Sequence, residues 1–403
     1  MARLPEIMLP SHLTDRLAQG HPWVYRTHVP AQIKLPSGTW VRVSCGGWAG
    51  YGLWEADRPI AVRVFSTRQI PDAAWLHQQV RAAWDLRAPL RAAGCTAYRW
   101  IFGEGDRLPG LTADIYGDYV VLQVYMRGAD ELVGWLADAL RATTPLRGIV
   151  LRERVADLDE PAAERDADEP AVIRRSALVW GSDPPKPLVV REHGVQFYAA
   201  LHAGQKTGLF LDHRENRRFV EQLSHGRRVL NCFAYSGAFS LYALRGGAST
   251  VISCDIGKGL AEATAANLVL NGYDPARHSF VTADCFDLLE RYANAGERFD
   301  LLVLDPPSFA KRKLNRFAAL RAYTRLNALA MRCLVPGGLL ASASCTSQVG
   351  PEAFKAMLAA AAAAAERECQ IIHEAGQPID HPVPAGFPEG RYLKFVVGRI
   401  MPR

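Results

Sequence analysis

The feature that most constrains this chain begins after Glu192-His193-Gly194, where apolar segments of strand length start to alternate regularly with helical periods. That alternation is the sequence form of a parallel sheet covered by crossover helices. It predicts strands over 228–231, 250–254, 279–282, 299–304 and 338–344, with helices over 239–245, 258–271, 287–294, 316–333 and 351–369. The alanine run at 359–365 is low in complexity, but alanine is the best helix former and the run needs no further explanation.

A chain of 403 residues, 49% of them apolar, exceeds one ordinary core, so two or three packed domains are expected. The first 70 residues or so carry short alternating segments, at 39–44 and 60–65, with Gly46-Gly47 between them, which suggests a small β-barrel. Ahead of these, Trp23 and Tyr25 cluster near a turn; core packing is the simpler account, and a surface for stacking bases is the other. A helical pattern over 72–93, a loop over 102–110 and a strand over 119–125 fit a connecting α/β module. Its tail, 156–170, is rich in Asp, Glu, Ala and Pro and reads as a solvated excursion between two strands.

Composition also excludes several classes. No apolar run approaches the roughly 18 to 20 residues that span a bilayer, and the start lacks a signal peptide's pattern, so no membrane partner and a cytoplasmic address are expected. The eight cysteines lie far apart, with no pair at zinc-ligand spacing, and the histidines are scattered, so no metal site is expected. The net charge of +6 is mild, but acid concentrates in 157–169, which leaves the remainder basic and compatible with a polyanion.

Ligands of a doubly wound sheet bind at the carboxyl ends of its strands, and the chain's motifs fall there. After the first strand comes Asn231-Cys232-Phe233-Ala234-Tyr235-Ser236-Gly237, where Gly237 permits close backbone approach and Ser236 and Ser240 offer hydroxyls. The fingerprint Gly-x-Gly-x-x-Gly is not met, which disfavours a nicotinamide cofactor. Asp255 ends the second strand and suits two ribose hydroxyls, while Asp284 follows the third and suits an adenine amino group. Either acid alone reads equally well as a helix cap; in series with Gly237 and Asp305 they favour an adenosyl ligand.

With Asn267–Gly272 and Asp305-Pro306-Pro307-Ser308-Phe309 added, this succession resembles the class I S-adenosylmethionine methyltransferases. The likeness extends further: Gly20-His21-Pro22-Trp23, Glu104 to Leu111, Glu192-His193-Gly194 and Gly204 to Arg217 are similar to the ribosomal large-subunit methyltransferase I family. The resemblance implies an α/β protein with three parts: an RNA-binding PUA-type β-barrel (1–70), a central α/β module (71–185) and a Rossmann-like methyltransferase domain (186–403). It implies S-adenosyl-L-methionine as cofactor, with Asn231, Phe233, Tyr235, Ser236, Gly237, Asp255, Asp284 and Asp305 around it. The implied product is 5-methylcytosine in 23S rRNA, in free form or in a large-subunit precursor, and the family's tendency to dimerise makes a homodimer an expectation.

Cytosine C5 is too weak a nucleophile to take a methyl group unaided, so a thiolate must first add at C6. The resemblance gives this role to Cys345, in Ser344-Cys345-Thr346-Ser347, and places Asp305 on the N3/N4 edge of the base. Phe309, fixed by the two prolines, could stack on that base or be a core or lid aromatic. Cys232 and Cys285 read as packing residues. Ser308 stands where many RNA 5-methylcytosine enzymes place a second cysteine. Lys311, Arg312 and Lys313, with Arg316, Arg321 and Arg325, are candidates for phosphate contact, and Lys206, His213, Arg214 and Arg217 form a second basic group. Two other readings stand beside this one: methylation of a base nitrogen, which needs no thiol, and an inactive RNA-binding assembly factor.

Overall fold

The computed structural model describes residues 4–154, 173–202, 206–309 and 316–403. The acidic segment 156–170 and the run Lys311-Arg312-Lys313 lie outside the described residues. The chain divides into two compact units, one of Met1–His193, Ala199–Leu211 and Ile379–Gly390, the other of Gly194–Tyr198, Asp212–Pro378 and Arg391–Arg403. No helix among the described residues is long and apolar enough to cross a membrane.

The first unit holds two five-stranded sheets. In one, Trp40–Cys45 buries alternate residues, Val41, Val43 and Cys45, as a half-buried strand of period two must. Its partners are Glu6–Met8, Trp48–Trp54, Ile60–Ser66 and Trp23–Tyr25. The other sheet, which includes Ala97–Phe102, Leu111–Tyr116 and Tyr119–Val124, packs against helices Ala73–Leu86 and Asp130–Thr143 around Val80, Trp100, Leu122 and Leu136. The predicted helix over 72–93 is two helices, Ala73–Leu86 and Ala88–Ala92, because Pro89 opens the second and has no N–H to continue the first. Within this unit Arg87, fully buried, grips Asp106 with two bonds of 2.6 and 2.7 Å, and Asp106 also accepts from Phe102 N at 2.6 Å. Asp106 of the 104–111 motif therefore serves to hold a loop shape.

The second unit is a seven-stranded sheet: β1 (Arg228–Cys232), β2 (Thr250–Asp255), β3 (His278–Thr282), β4 (Phe299–Leu304), β5 (Leu334–Ser344), β6 (Arg367–Ala375) and β7 (Lys394–Pro402). Their order is β3-β2-β1-β4-β5-β7-β6, parallel except for β7, which runs antiparallel to both β5 and β6. The order reverses between β1 and β4, which opens the crevice expected of a doubly wound sheet. Among the described residues this unit has six α-helices: α1 (Arg214–Gln222), α2 (Ala238–Arg245), α3 (Leu260–Leu270), α4 (Cys285–Ala295), α5 (Arg316–Arg332) and α6 (Pro351–Ala364). Ala319, Tyr323, Leu326 and Ala330 form the buried stripe of α5, at the helical spacing that covers a sheet. Cys232 and Cys285 are buried in this core, as packing residues would be.

The chain corrects one predicted helix. The alanine-rich pattern suggests helix to residue 369, but α6 ends at Ala364, Glu366 turns at φ 55° and β6 begins at Arg367. Helix propensity is a weak prior, and pairing of β6 with β7 overrides it.

A polar chain links the sheet's first three strands: Asn231 Nδ2 donates to Ser240 Oγ (2.9 Å), Ser240 Oγ meets Ser253 Oγ (2.7 Å), and Ser253 Oγ meets His278 Nε2 (2.8 Å). Burial pushes the His278 pKa from 6.5 down to about 4. Between those values the unfolded chain binds the proton and the folded one does not, so the group's contribution to stability is lost as pH falls through that window. Replacing His278 by Gln should flatten the decline in unfolding free energy between pH 6.5 and about 4, as followed by urea denaturation.

Candidate active site

The loop from β1 to α2 is bent by three residues with positive φ: Phe233 (60°), Tyr235 (48°) and Gly237 (80°). For the two aromatic residues this backbone costs roughly 1 to 2 kcal/mol each, so other contacts must hold it. Asp255, at the end of β2, supplies one: its Oδ2 accepts from Tyr235 N and its Oδ1 from Gly257 N, both at 2.9 Å. Phe233 N donates to Cys285 Sγ at 3.3 Å, and Asn267 on α3 donates to the Ser236 carbonyl at 3.1 Å. A Cβ at Gly237 would stand 2.5 Å from Thr264 Cγ2, so α3 packs where a side chain would be.

These residues fit an adenosyl cofactor. Asp255 uses one N–H contact per oxygen and keeps lone pairs for ribose hydroxyls. Asp284 caps α4, with Oδ1 accepting from Phe286 N (2.7 Å) and Asp287 N (3.2 Å), and is itself exposed. It therefore fills the helix-cap role while leaving its second oxygen for a ligand. Asn231 is buried; its amide nitrogen is spent on Ser240, and its Oδ1 is left as an acceptor without a partner among the described residues, at the switch point. Ser240 is turned fully inward, so its hydroxyl serves the polar chain rather than a ligand.

Asp305 and Cys345 leave the ends of neighbouring strands, since Leu304 of β4 is in register with Ser342 of β5. Cys345 is half-buried; six of the eight cysteines are fully buried, and Cys369 lies on β6, away from this edge. His213, buried ahead of α1, places Nε2 3.2 Å from Asp305 Oδ1, an ion-pair separation without hydrogen-bond geometry, while its Nδ1 lies 3.0 Å from Asn216 Nδ2. Phe309 packs at 4.7 Å ring separation on Tyr323 of α5 and is partly buried against the core. Burial raises the Tyr323 pKa to about 12, so the phenol stays neutral; it accepts a 3.2 Å bond from Ser344 Oγ.

The basic residues separate. Arg321 and Arg325 are exposed on α5, and Arg325 reaches Glu290 at 3.2 Å. Arg214 is fully buried against Glu215, whereas Lys206, in the first unit, sits over the Phe210 ring at 4.3 Å. Sequence reasoning missed Lys394: it is 5% exposed and donates to the Tyr392 carbonyl at 2.8 Å and to the Thr346 carbonyl. No spacing in the sequence marks it, because only the antiparallel pairing of β7 with β5 brings it opposite Ser344. In the first unit, a cavity of about 950 Å³ is lined by Trp23, Phe102 and Tyr125 together with Arg26, Lys34 and Arg58.

Comparison with known proteins agrees with this geometry. A family model described as S-adenosylmethionine-dependent methyltransferase matches residues 172–382, and one described as PUA-like domain matches residues 7–67. The ribosomal RNA large subunit methyltransferase I of Aeromonas salmonicida is 35% identical over 389 residues, covering 95% of this chain and 96% of the relative. The protein of the same name from Photobacterium profundum is 36% identical over 385 residues, covering 94% and 95%. The chain belongs to this family. Its cofactor is S-adenosylmethionine, and its fold is the PUA-like domain joined to a class I methyltransferase. A methyltransferase from Streptococcus mutans shares that fold, with a TM-score of 0.83 at 21% identity over 98% of this chain and 100% of its own. So does the methyltransferase SMU.776 in complex with SAH, with a TM-score of 0.85 at 22% identity over 98% and 100%.

Gly237→Ala, which meets Thr264 and must hold a left-handed φ, should weaken S-adenosylhomocysteine binding at least about ten-fold by titration calorimetry. Burial, only partly opposed by Cys345, lowers the Lys394 pKa from 10.5 to about 8. The unfolded chain therefore holds the extra proton between pH 8 and 10.5, and stability from this group rises with pH across that window. The difference in unfolding free energy between wild type and Lys394→Met should move in favour of wild type from pH 8 to 10.5.

Proposed function

We propose that this protein methylates C5 of a cytosine in large-subunit ribosomal RNA, with Cys345 as the nucleophile. The observation that carries the reading is the juxtaposition of an accessible thiol and the Asp305 carboxylate on adjacent strand ends, beside the crevice that fits the cofactor. The relatives' name supplies the RNA; the thiol supplies the choice of carbon over nitrogen, because a nitrogen methyltransferase needs none.

When bound, S-adenosylmethionine supplies an electrophilic methyl group. The Cys345 thiolate adds to C6 of cytosine, and the electron pair of the C5–C6 double bond becomes available at C5. C5 then takes the methyl carbon, and the carbon–sulfur bond of the sulfonium breaks. Loss of the C5 proton to a base expels the Cys345 thiolate and restores the double bond. The Asp305 carboxylate accepts from the exocyclic amine, which fixes cytosine in reach of the thiol. Pro306 and Pro307 stiffen the chain that leads to Phe309. Phe309 is held against Tyr323 and Phe286 but is only partly buried, and its exposed part would stack on the base. Exposed Arg321 and Arg325 would meet phosphates, and the aromatic residues of the first unit's cavity, lined by Arg26, Lys34 and Arg58 as well as by Glu55, Asp57 and Glu104, would stack on an unpaired stretch of RNA.

The test exposes unmodified large-subunit rRNA to the protein and isotopically labelled cofactor, then identifies the labelled nucleoside by mass spectrometry. Wild type should yield 5-methylcytidine, Cys345→Ala none, and Asp305→Asn a rate lower by roughly a hundred-fold. Labelled methylguanosine or methyladenosine, made equally by Cys345→Ala, would replace this reading with nitrogen methylation.

A further inference from the structure

A buried lysine without a carboxylate is rare, because an ammonium in the interior loses its hydration. Lys394 is such a residue among those described: it is almost fully enclosed, and its ammonium donates to two backbone carbonyls, those of Thr346 and Tyr392. Thr346 directly follows Cys345, and the register of β7 on β5 sets Lys394 opposite Ser344, which directly precedes it. The ammonium is thus fastened to the strand end that carries the thiol, from both sides of it. Cys345 is also the group whose charge opposes the loss of the Lys394 proton, and the influence is reciprocal.

Tyr323, from α5, is a neutral phenol, and both Cys345 and Asp305 act on it. Asp305, from the end of β4, is an acid and would oppose a thiolate; His213 stands 3.2 Å beyond it, on the side of α1. A nucleophile that must ionise beside a carboxylate requires a nearby cation.

We propose that Lys394 is the positioning residue that keeps Cys345 as a thiolate at neutral pH, with its cation held in place by the Thr346 and Tyr392 carbonyls. The inference rests on Cys345 being the nucleophile. Lys394 acts through the thiol and is not assigned a contact with RNA or cofactor. No proton is transferred in this role: the thiol proton leaves to solvent, and the ammonium stabilises the anion left behind.

The test measures the alkylation rate of Cys345 by iodoacetamide against pH, with the modified peptide resolved by mass spectrometry, which separates it from Cys369. In wild type the midpoint should lie at least about one pH unit below the value near 8.5 of a free thiol. In Lys394→Met it should rise by about one unit or more, with an alkylation rate at pH 7 about ten-fold lower. Lys394→Gln, which keeps an N–H for the Thr346 carbonyl, should behave like Lys394→Met, whereas Lys394→Arg should recover part of the low midpoint. Methyl transfer by Lys394→Met should fall about ten-fold at pH 7 and recover by pH 9, with KM for the cofactor unchanged. A wild-type midpoint at or above the free-thiol value overturns the proposal even if neither neutral variant folds, and so does an equal midpoint in wild type and a folded neutral variant. A raised midpoint together with full activity of Cys345→Ala would leave the lysine–thiol pair standing and overturn the reading of Cys345 as nucleophile.

Discussion

The carboxyl edge of the parallel sheet is the constraint on which the rest of this site depends. β1 and β4 are buried along most of their length, with Leu230, Leu302 and Leu304 fully enclosed, and they diverge in connection at the point where strand order reverses. In a doubly wound sheet the loops that leave this edge next to the reversal border the crevice. Asp255, Asp284, Asp305 and Cys345 are consecutive expressions of that one geometry, each within one or two residues beyond a strand or at its last residue. Burial of the strands makes the edge rigid, and rigidity lets a strained loop such as Phe233 to Gly237 persist.

Asp255 illustrates how one carboxylate serves both structure and chemistry. By accepting from Tyr235 N and Gly257 N, it ties the loop after β1 to the loop after β2 and offsets part of the cost of left-handed aromatic residues. The same oxygens keep lone pairs in the crevice. Asp284 shows the same economy, since capping α4 occupies one of its oxygens. For these two acids, helix or loop support and ligand contact are not competing accounts.

Much of the site was legible because strand ends and glycines leave local signals. Gly237 and the Asp-Pro-Pro run can be found by eye, whereas Cys345 was singled out by the family resemblance of its motif. Other readings failed for physical reasons. Ser240 looked available to a ligand, but the first turn of α2 directs it into the hydrogen-bonded chain from Asn231 to His278. Arg214 belonged to a basic group in sequence, yet its side chain is enclosed, since helical geometry decides which face of α1 meets the core. The alanine-rich segment overstated its helix because local propensity carries no knowledge of the β7 edge that waits for a partner.

By itself the sequence determined the order of strands and helices in the second unit through β5 and the cofactor class, because periodicity, turn chemistry and strand-end motifs are local properties. Tertiary structure alone decided what surrounds the thiol. Lys394 is 49 residues from Cys345 along the chain, and only the antiparallel insertion of β7 between β5 and β6 brings its ammonium to the Thr346 carbonyl. His213 reaches Asp305 in the same way, from a segment before the first strand of the sheet. Contacts between distant segments depend on register and on the direction in which a strand runs, and neither is written into the residues that meet.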